Sequence, residues 1–216
     1  MEVKLGAVGY ALIVVFFLYS VVLHEIAHAW AAELCGDSTA RDQGRMTLNP
    51  LKHISIGGLL MLFVLGFGSA RPVPIEPDNF RDFRKGLMAV ALAGPLANIA
   101  IACLLYQTAL AANFLQFRDP ASLEVLSRVF ALNICLAVLN MLPVPPLDGS
   151  LVLYGLFPVS DIKLYQKFGA GGLILLLAMF LVPVPAFGTS ILGHYYGGLM
   201  NACGTVFHAI TSPSPA

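Results

Sequence analysis

Two histidines four residues apart with a glutamate beside the first, His24-Glu25-Ile26-Ala27-His28, form the densest chemistry in the sequence. On a helix, positions i and i+4 lie one above the other, so both rings can present a nitrogen to one ion at about 2.0–2.1 Å. Glu25 is then placed as a base. Water on such an ion has its pKa drawn down toward about 7, and a neighbouring carboxylate can take the proton and later hand it on to a leaving amine. The string also arises by chance, and a lone histidine often satisfies a core hydrogen bond. Within an apolar run the balance changes, because ionisable groups there are costly and mark function.

A catalytic zinc usually keeps three protein ligands and one open position. The metzincin extension needs Gly at 31 and His at 34, where this sequence has Ala31 and Leu34. No glutamate follows closely either, since the next after Glu33 is Glu76. The best remaining candidate is Asp148, within Asn140-Met-Leu-Pro-Val-Pro-Pro-Leu-Asp148-Gly149. Pro143, Pro145 and Pro146 each lack an N–H and clash with a preceding turn, so a helix must unwind there. Unwound backbone at membrane depth is tolerated only where protein or water surrounds it, which suits a metal ligand. An ordinary Pro-Pro-x-Asp-Gly turn at the end of a span is the alternative, and the histidine pair tips the reading toward the ligand.

The elements that must carry these residues are apolar. The 216 residues are 58% hydrophobic and 11% charged, with a mean hydropathy of +0.81, against roughly 25% charged in a soluble domain. Residues 6–34, 86–115, 126–142, 164–182 and 190–210 form five apolar runs near the roughly 20 residues a membrane helix needs. A sixth, 54–68, is shorter and glycine-punctuated, fitting a re-entrant element better than a full crossing. The expected fold is all-α, a polytopic helical membrane protein with five to six membrane segments. Residues 1–211 form one integral membrane domain, with 212–216 a flexible tail. The first run is too long for a signal-peptide core and carries the histidines, so it reads as a membrane helix.

Two polar connectors bracket the short run. Alternation around Gly44 predicts a small β-hairpin within 36–53, and the prolines of Arg71-Pro-Val-Pro-Ile-Glu-Pro77 predict an extended loop. With 54–68 re-entrant, Arg41, Arg45, Lys52, Arg71, Arg81, Arg84, Lys85, Lys163 and Lys167 share one side, against Lys4, Arg118 and Arg128 on the other. That asymmetry makes the first side cytoplasmic and the N-terminus external. A net charge of zero with no basic tract excludes nucleic-acid binding. Cys35, Cys103, Cys135 and Cys203 contain no CxxC pair and read as buried apolar thiols. His194, His208 and Trp30 read as packing or interfacial groups, and Gly193 and Gly197 as a close helix contact.

HEIAHAW, RPVPIEPDNFRDFRKG, Ala93-Gly94-Pro95-Leu96-Ala97-Asn98 and NMLPVPPLDG, in this order over about residues 20–155, resemble the site-2 protease family of intramembrane zinc metalloproteases. The resemblance implies one Zn2+ held by His24, His28 and Asp148, with Glu25 as catalytic base. It also implies that Asn98 and Asn140 act at the active site or on substrate, with helix packing or backbone capping as their alternative role. Every soluble stretch is short, so no PDZ or CBS domain is expected, as in a compact prokaryotic form. The implied activity is hydrolysis of peptide bonds within or near transmembrane segments, in regulated proteolysis or clearance of signal-peptide remnants. Its partners would be a membrane-protein or signal-peptide-like substrate and the bilayer, in the plasma membrane, with the site toward the cytoplasm. A zinc transporter or zinc-gated membrane protein is the rival class. It would string ligands along a path and would need no base beside the ion.

Overall fold

The computed structural model describes residues 4–55, 71–117, 119–157, 163–185 and 187–211. The expected re-entrant run and the C-terminal tail lie outside the described residues but for 54 and 55. The protein is mostly helical: α1 (Ala7–Cys35), the single turn α2 (Thr39–Asp42), α3 (Phe83–Phe114), α4 (Pro120–Asn140), α5 (Asp148–Leu156), α6 (Lys163–Leu181) and α7 (Ile191–Thr211). β1 (Pro183–Val184) and β2 (Thr189–Ser190) pair antiparallel between the last two helices, with Pro183 opposite Ser190.

Of these, α1, α3 and α4 are long and apolar enough to cross a membrane. The apolar part of α6, Gly171–Leu181, is shorter. His194, Asn201, Thr205 and His208 dilute the hydropathy of α7. Five expected runs are therefore helices, and three reach the length and hydropathy of a span among the described residues.

Helix boundaries follow local chemistry. Asp119 caps α4 by accepting from the Ser122 N–H at 2.8 Å, with Pro120 at the first helical position. That start lies six residues before the apolar run. Asp82 does the same for α3 through the Lys85 N–H at 3.0 Å. α1 ends at Gly36, whose φ of 117° is open to glycine and whose missing side chain admits the Asn79 carbonyl.

α3 is the central helix, packed against α1, α4, α5 and α7. Its inner face and its neighbours' faces are small: Gly86, Ala91, Gly94, Ala102 and Ala109 on α3, Ala29 and Ala32 on α1, Ala131 and Ala137 on α4. Large apolar side chains such as Leu12, Val14, Phe16, Leu96 and Leu104 point outward instead. That inversion is how helices pack where lipid is the solvent and small residues allow close backbone approach.

The β-hairpin expected within 36–53 is not there. Asp37 accepts from the Thr39 N–H at 3.1 Å and from the Thr39 hydroxyl, which starts the helical turn α2, and a 3-10 turn follows at Pro50–Lys52. A side-chain acceptor at a turn offers the backbone an alternative to a strand ladder. The proline-rich stretch 71–76 is extended as expected. Of the four cysteines, all free, only Cys135 is buried, and Cys103 faces outward from α3, where lipid serves an apolar thiol as well as a core does.

Candidate metal centre

His24 and His28 lie on the face of α1 turned toward α3, both buried. Asp148 opens α5, directly after the proline-broken stretch that follows α4. The three ligand atoms converge: His24 Nε2 and His28 Nε2 are 3.0 Å apart, and each is 3.4 Å from Asp148 Oδ2. All lie within 4.8 Å of one another, as the described residues' one group of three or more His, Cys, Asp and Glu able to hold an ion.

The ring protons say what that convergence is for. His24 Nδ1–H donates to Asn98 Oδ1 at 2.6 Å, and His28 Nδ1–H donates to the Val90 carbonyl at 2.7 Å. With both Nδ1 atoms protonated in neutral rings, both Nε2 atoms are bare acceptors facing each other and a carboxylate oxygen. Asp148 Oδ2 is buried with no hydrogen-bond partner. Converging lone pairs with no donor among them are unfavourable unless a cation joins them. Four ligands on arms of about 2.0–2.1 Å define a tetrahedron with edges of roughly 3.3 Å, close to the separations found. The residues present fit a tetrahedral metal ion such as zinc, with one position left open.

Glu25, next in chain to His24, takes a different neighbour. Its Oε2 accepts from the Val73 N–H at 3.0 Å, so the extended stretch 71–76 runs directly past the expected base. That stretch is held at other points too. Arg45 donates to the Arg71 and Pro72 carbonyls at 2.8 and 3.2 Å, and the Glu76 N–H donates to Asp37 Oδ2 at 2.8 Å.

Asn98 touches the site through His24. Asn140 donates its amide to the Leu136 carbonyl of its own helix at 3.1 Å. Three participants take no role from the sequence alone, although Gly94 stands within the motif 93–98. Val90 contributes only a carbonyl and has no side-chain signature. Asn133 donates to Ser20 and accepts from Asn98, and an asparagine in mid-span is itself a signal. Gly94 matters for what it lacks: a Cβ there would overlap the rings of both His24 and His28. Of the remaining histidines, His194 stacks on Phe187 with ring centroids 4.6 Å apart, and His208 lies 3.4 Å from Glu124.

Membrane-length helices around a buried His-His-Asp donor set define a class, that of helical membrane-type proteins with a metal-competent site. Comparison with known proteins narrows it. The chain is 33% identical over 180 residues to a Bacillus subtilis protein, covering 81% of this chain and 82% of the relative. It is also 33% identical over 184 residues to one from Mycobacterium tuberculosis, covering 81% and 68%, and 35% identical over 150 residues to one from Mycolicibacterium smegmatis, covering 65% and 55%. The first bears the name "Putative zinc metalloprotease YwhC" and the other two the same description with the name Rip2. No family model matches the chain, and no solved structure does. The protein belongs to the site-2 protease family.

Proposed function

We propose that this protein is a zinc metalloendopeptidase that cuts peptide bonds within or near the transmembrane segments of membrane-protein substrates. The observation that carries the proposal is the meeting of His24 and His28 with Asp148, more than a hundred residues later, around a buried point with an orphaned carboxylate oxygen. The relatives' names support zinc as the ion.

In this reading His24, His28 and Asp148 hold the ion and leave one position open. A zinc ion bound there supplies Lewis acidity toward a water and toward a scissile carbonyl. Glu25 accepts a proton at its carboxylate and returns it to the leaving amine. A helical substrate hides its carbonyls in i to i−4 bonds, so it must be unwound and held. The extended stretch 71–76, running beside Glu25, has the conformation to pair with such a strand. Counting back from the C-terminal end of α1 at 1.5 Å per residue, the histidines lie on the order of 10–15 Å below the surface, so water reaches them through a path opening on that side.

The reading carries a multi-pass topology in the plasma membrane, with all five long apolar runs crossing, residues 1–211 as one domain, the N-terminus outside and the site toward the cytoplasm. The basic residues that bracket 71–85 support that orientation. Zinc transport wants ligands strung along a path, whereas one cluster is found among the described residues.

The test is Glu25→Gln in purified, detergent-solubilised protein and in cells. The variant is expected to keep its zinc and lose hydrolysis by about 10²–10⁴-fold, with an uncut single-pass or signal-peptide-like fragment accumulating in the membrane proteome. Zinc flux into vesicles that survives the substitution, with no change in any membrane fragment, would replace the protease by a transporter.

A further inference from the structure

We infer that Asn133, in the middle of α4, is a positioning residue that fixes which nitrogen of His24 is free to bind metal, acting through Asn98. The inference rests on the reading of His24 as a zinc ligand and deepens it.

One group in the hydrogen-bonded chain has a role that is not open to choice. The Val129 carbonyl can only accept, and it lies 2.9 Å from the Asn133 amide, so the Asn133 NH2 must face it. The second hydrogen of that NH2 goes to Ser20 Oγ at 3.0 Å, whose own hydroxyl is committed to the Phe16 carbonyl at 3.0 Å. Asn133 Oδ1 is therefore turned the other way, where it accepts from the Asn98 NH2 at 3.0 Å. That leaves Asn98 Oδ1 toward His24 Nδ1, 2.6 Å away. An acceptor there puts the ring proton on Nδ1 and leaves the Nε2 lone pair for an ion.

The chain thus runs in one direction from a backbone carbonyl of α4, across α3, to a side chain of α1. Asn98 and Asn133 are both fully buried, and Ser20 nearly so. Water cannot substitute for a missing member there, and an amide left to turn freely would as readily point its NH2 at His24. That orientation selects the tautomer whose Nε2 carries a proton and cannot bind metal. His28 needs no such chain, because its Nδ1–H meets the Val90 carbonyl directly.

The experiment measures zinc affinity by chelator competition, and the visible spectrum of the Co2+-loaded protein, on the native chain and three variants in detergent. Asn133→Leu removes the director and is expected to weaken zinc binding by about 10–100-fold, with a Co2+ spectrum altered from the native one. Asn133→Asp is expected to bind as the native protein does, since a neutral carboxylic acid donates to Val129 and accepts from Asn98 with the same polarity. Ser20→Ala is expected to bind normally, because Val129 still orients Asn133. Native affinity in Asn133→Leu overturns the inference while leaving the zinc site intact. Losses in Ser20→Ala that match those in Asn133→Leu also overturn it, since they show only that the polar chain holds helices together. Should Asn133→Leu not fold, native affinity is required in both other variants, and a tenfold loss in either overturns the inference. If the native protein binds neither metal better than His24→Ala does, the zinc reading falls and takes the inference with it.

Discussion

A missing methyl group decides whether the two histidines can share an ion. Gly94 is buried under both imidazoles, and an added Cβ would overlap the His24 and His28 rings. Pro95 follows it, and its ring fixes φ at about −65°, so the backbone beneath the rings has little freedom to adjust. Gly94→Ala is therefore expected to displace the rings rather than the helix. Overpacking of this kind costs about 1–3 kcal/mol, and here it should appear as a loss of bound zinc of tenfold or more by metal analysis, with the helical circular dichroism unchanged. Full zinc content in Gly94→Ala would mean the rings have room that the structure denies them. The three converging donors are legible in sequence because their chemistry is their type and spacing: two histidines one turn apart, and an aspartate after a run of prolines. Gly94 and Val90 were not legible in that way. What each contributes is a space and a carbonyl, and neither has meaning until α3 lies against α1.

The stretch 71–76 has no strand partner among the described residues, so beyond one backbone bond, from the Arg71 N–H to the His53 carbonyl at 2.7 Å, its course depends on side chains reaching it from α1 and the loop after it. Asp37 is the main anchor. It is 1% exposed and accepts from the Thr39 N–H and hydroxyl, the Glu76 N–H and the Asn79 amide, tying the end of α1 to the far end of the stretch. Burial alone would raise its carboxyl pKa, but the bonds from Glu76, Thr39 and Asn79 outweigh it and hold the group below the usual carboxylate range. The sign follows from linkage: a carboxyl that binds its proton less readily folded than unfolded stabilises the fold above its unfolded pKa, and that stability is lost as pH falls through the lower folded value. Asp37→Ala, which leaves those donors unpaired, should destabilise the region by about 1–3 kcal/mol. Hydrogen exchange across 71–82 should accelerate in the variant, and in the native protein as pH drops into the acid range once intrinsic exchange is corrected for. Protection indifferent to both would remove Asp37 as the anchor. The same residues account for the missing hairpin. Alternation around Gly44 suggested a hairpin, but Asp37 and Thr39 had already diverted the backbone into a turn, and side-chain capture of that kind outcompetes a ladder of three or four residues. The long helices were legible because hydropathy and length alone specify them; their capped starts, at Asp82 and Asp119, were less so, because the capping turns lie outside the apolar runs.

On the scale of the whole molecule, the helix connections sort the charges. α1 begins just after Leu5, which packs with Val125 and Val129 in the first half of α4, and ends just before Gly36, whose missing side chain admits the Asn79 carbonyl ahead of α3. The end of α3 and the start of α4 therefore share one face with the N-terminus, while α2, the extended stretch and the start of α3 share the other. Arg41, Arg45, Lys52, Arg71, Arg81, Arg84 and Lys85 belong to the second face, and Lys4 and Arg128 to the first. Basic residues near short loops stay on the cytoplasmic side, so the face with 71–76 should be internal, and a substrate would be met from the cytoplasm. Single cysteines test this in a chain whose four native cysteines have been replaced. Gln43→Cys, exposed beside α2, and Ala121→Cys, exposed in the first turn of α4, stand on opposite faces. In intact cells a membrane-impermeant maleimide should label Ala121→Cys and spare Gln43→Cys, and both should react once the membrane is opened. The reverse pattern would put the histidines and Glu25 nearer the outside, where the surviving halves of signal peptides and trimmed single-pass proteins would reach them from the other direction.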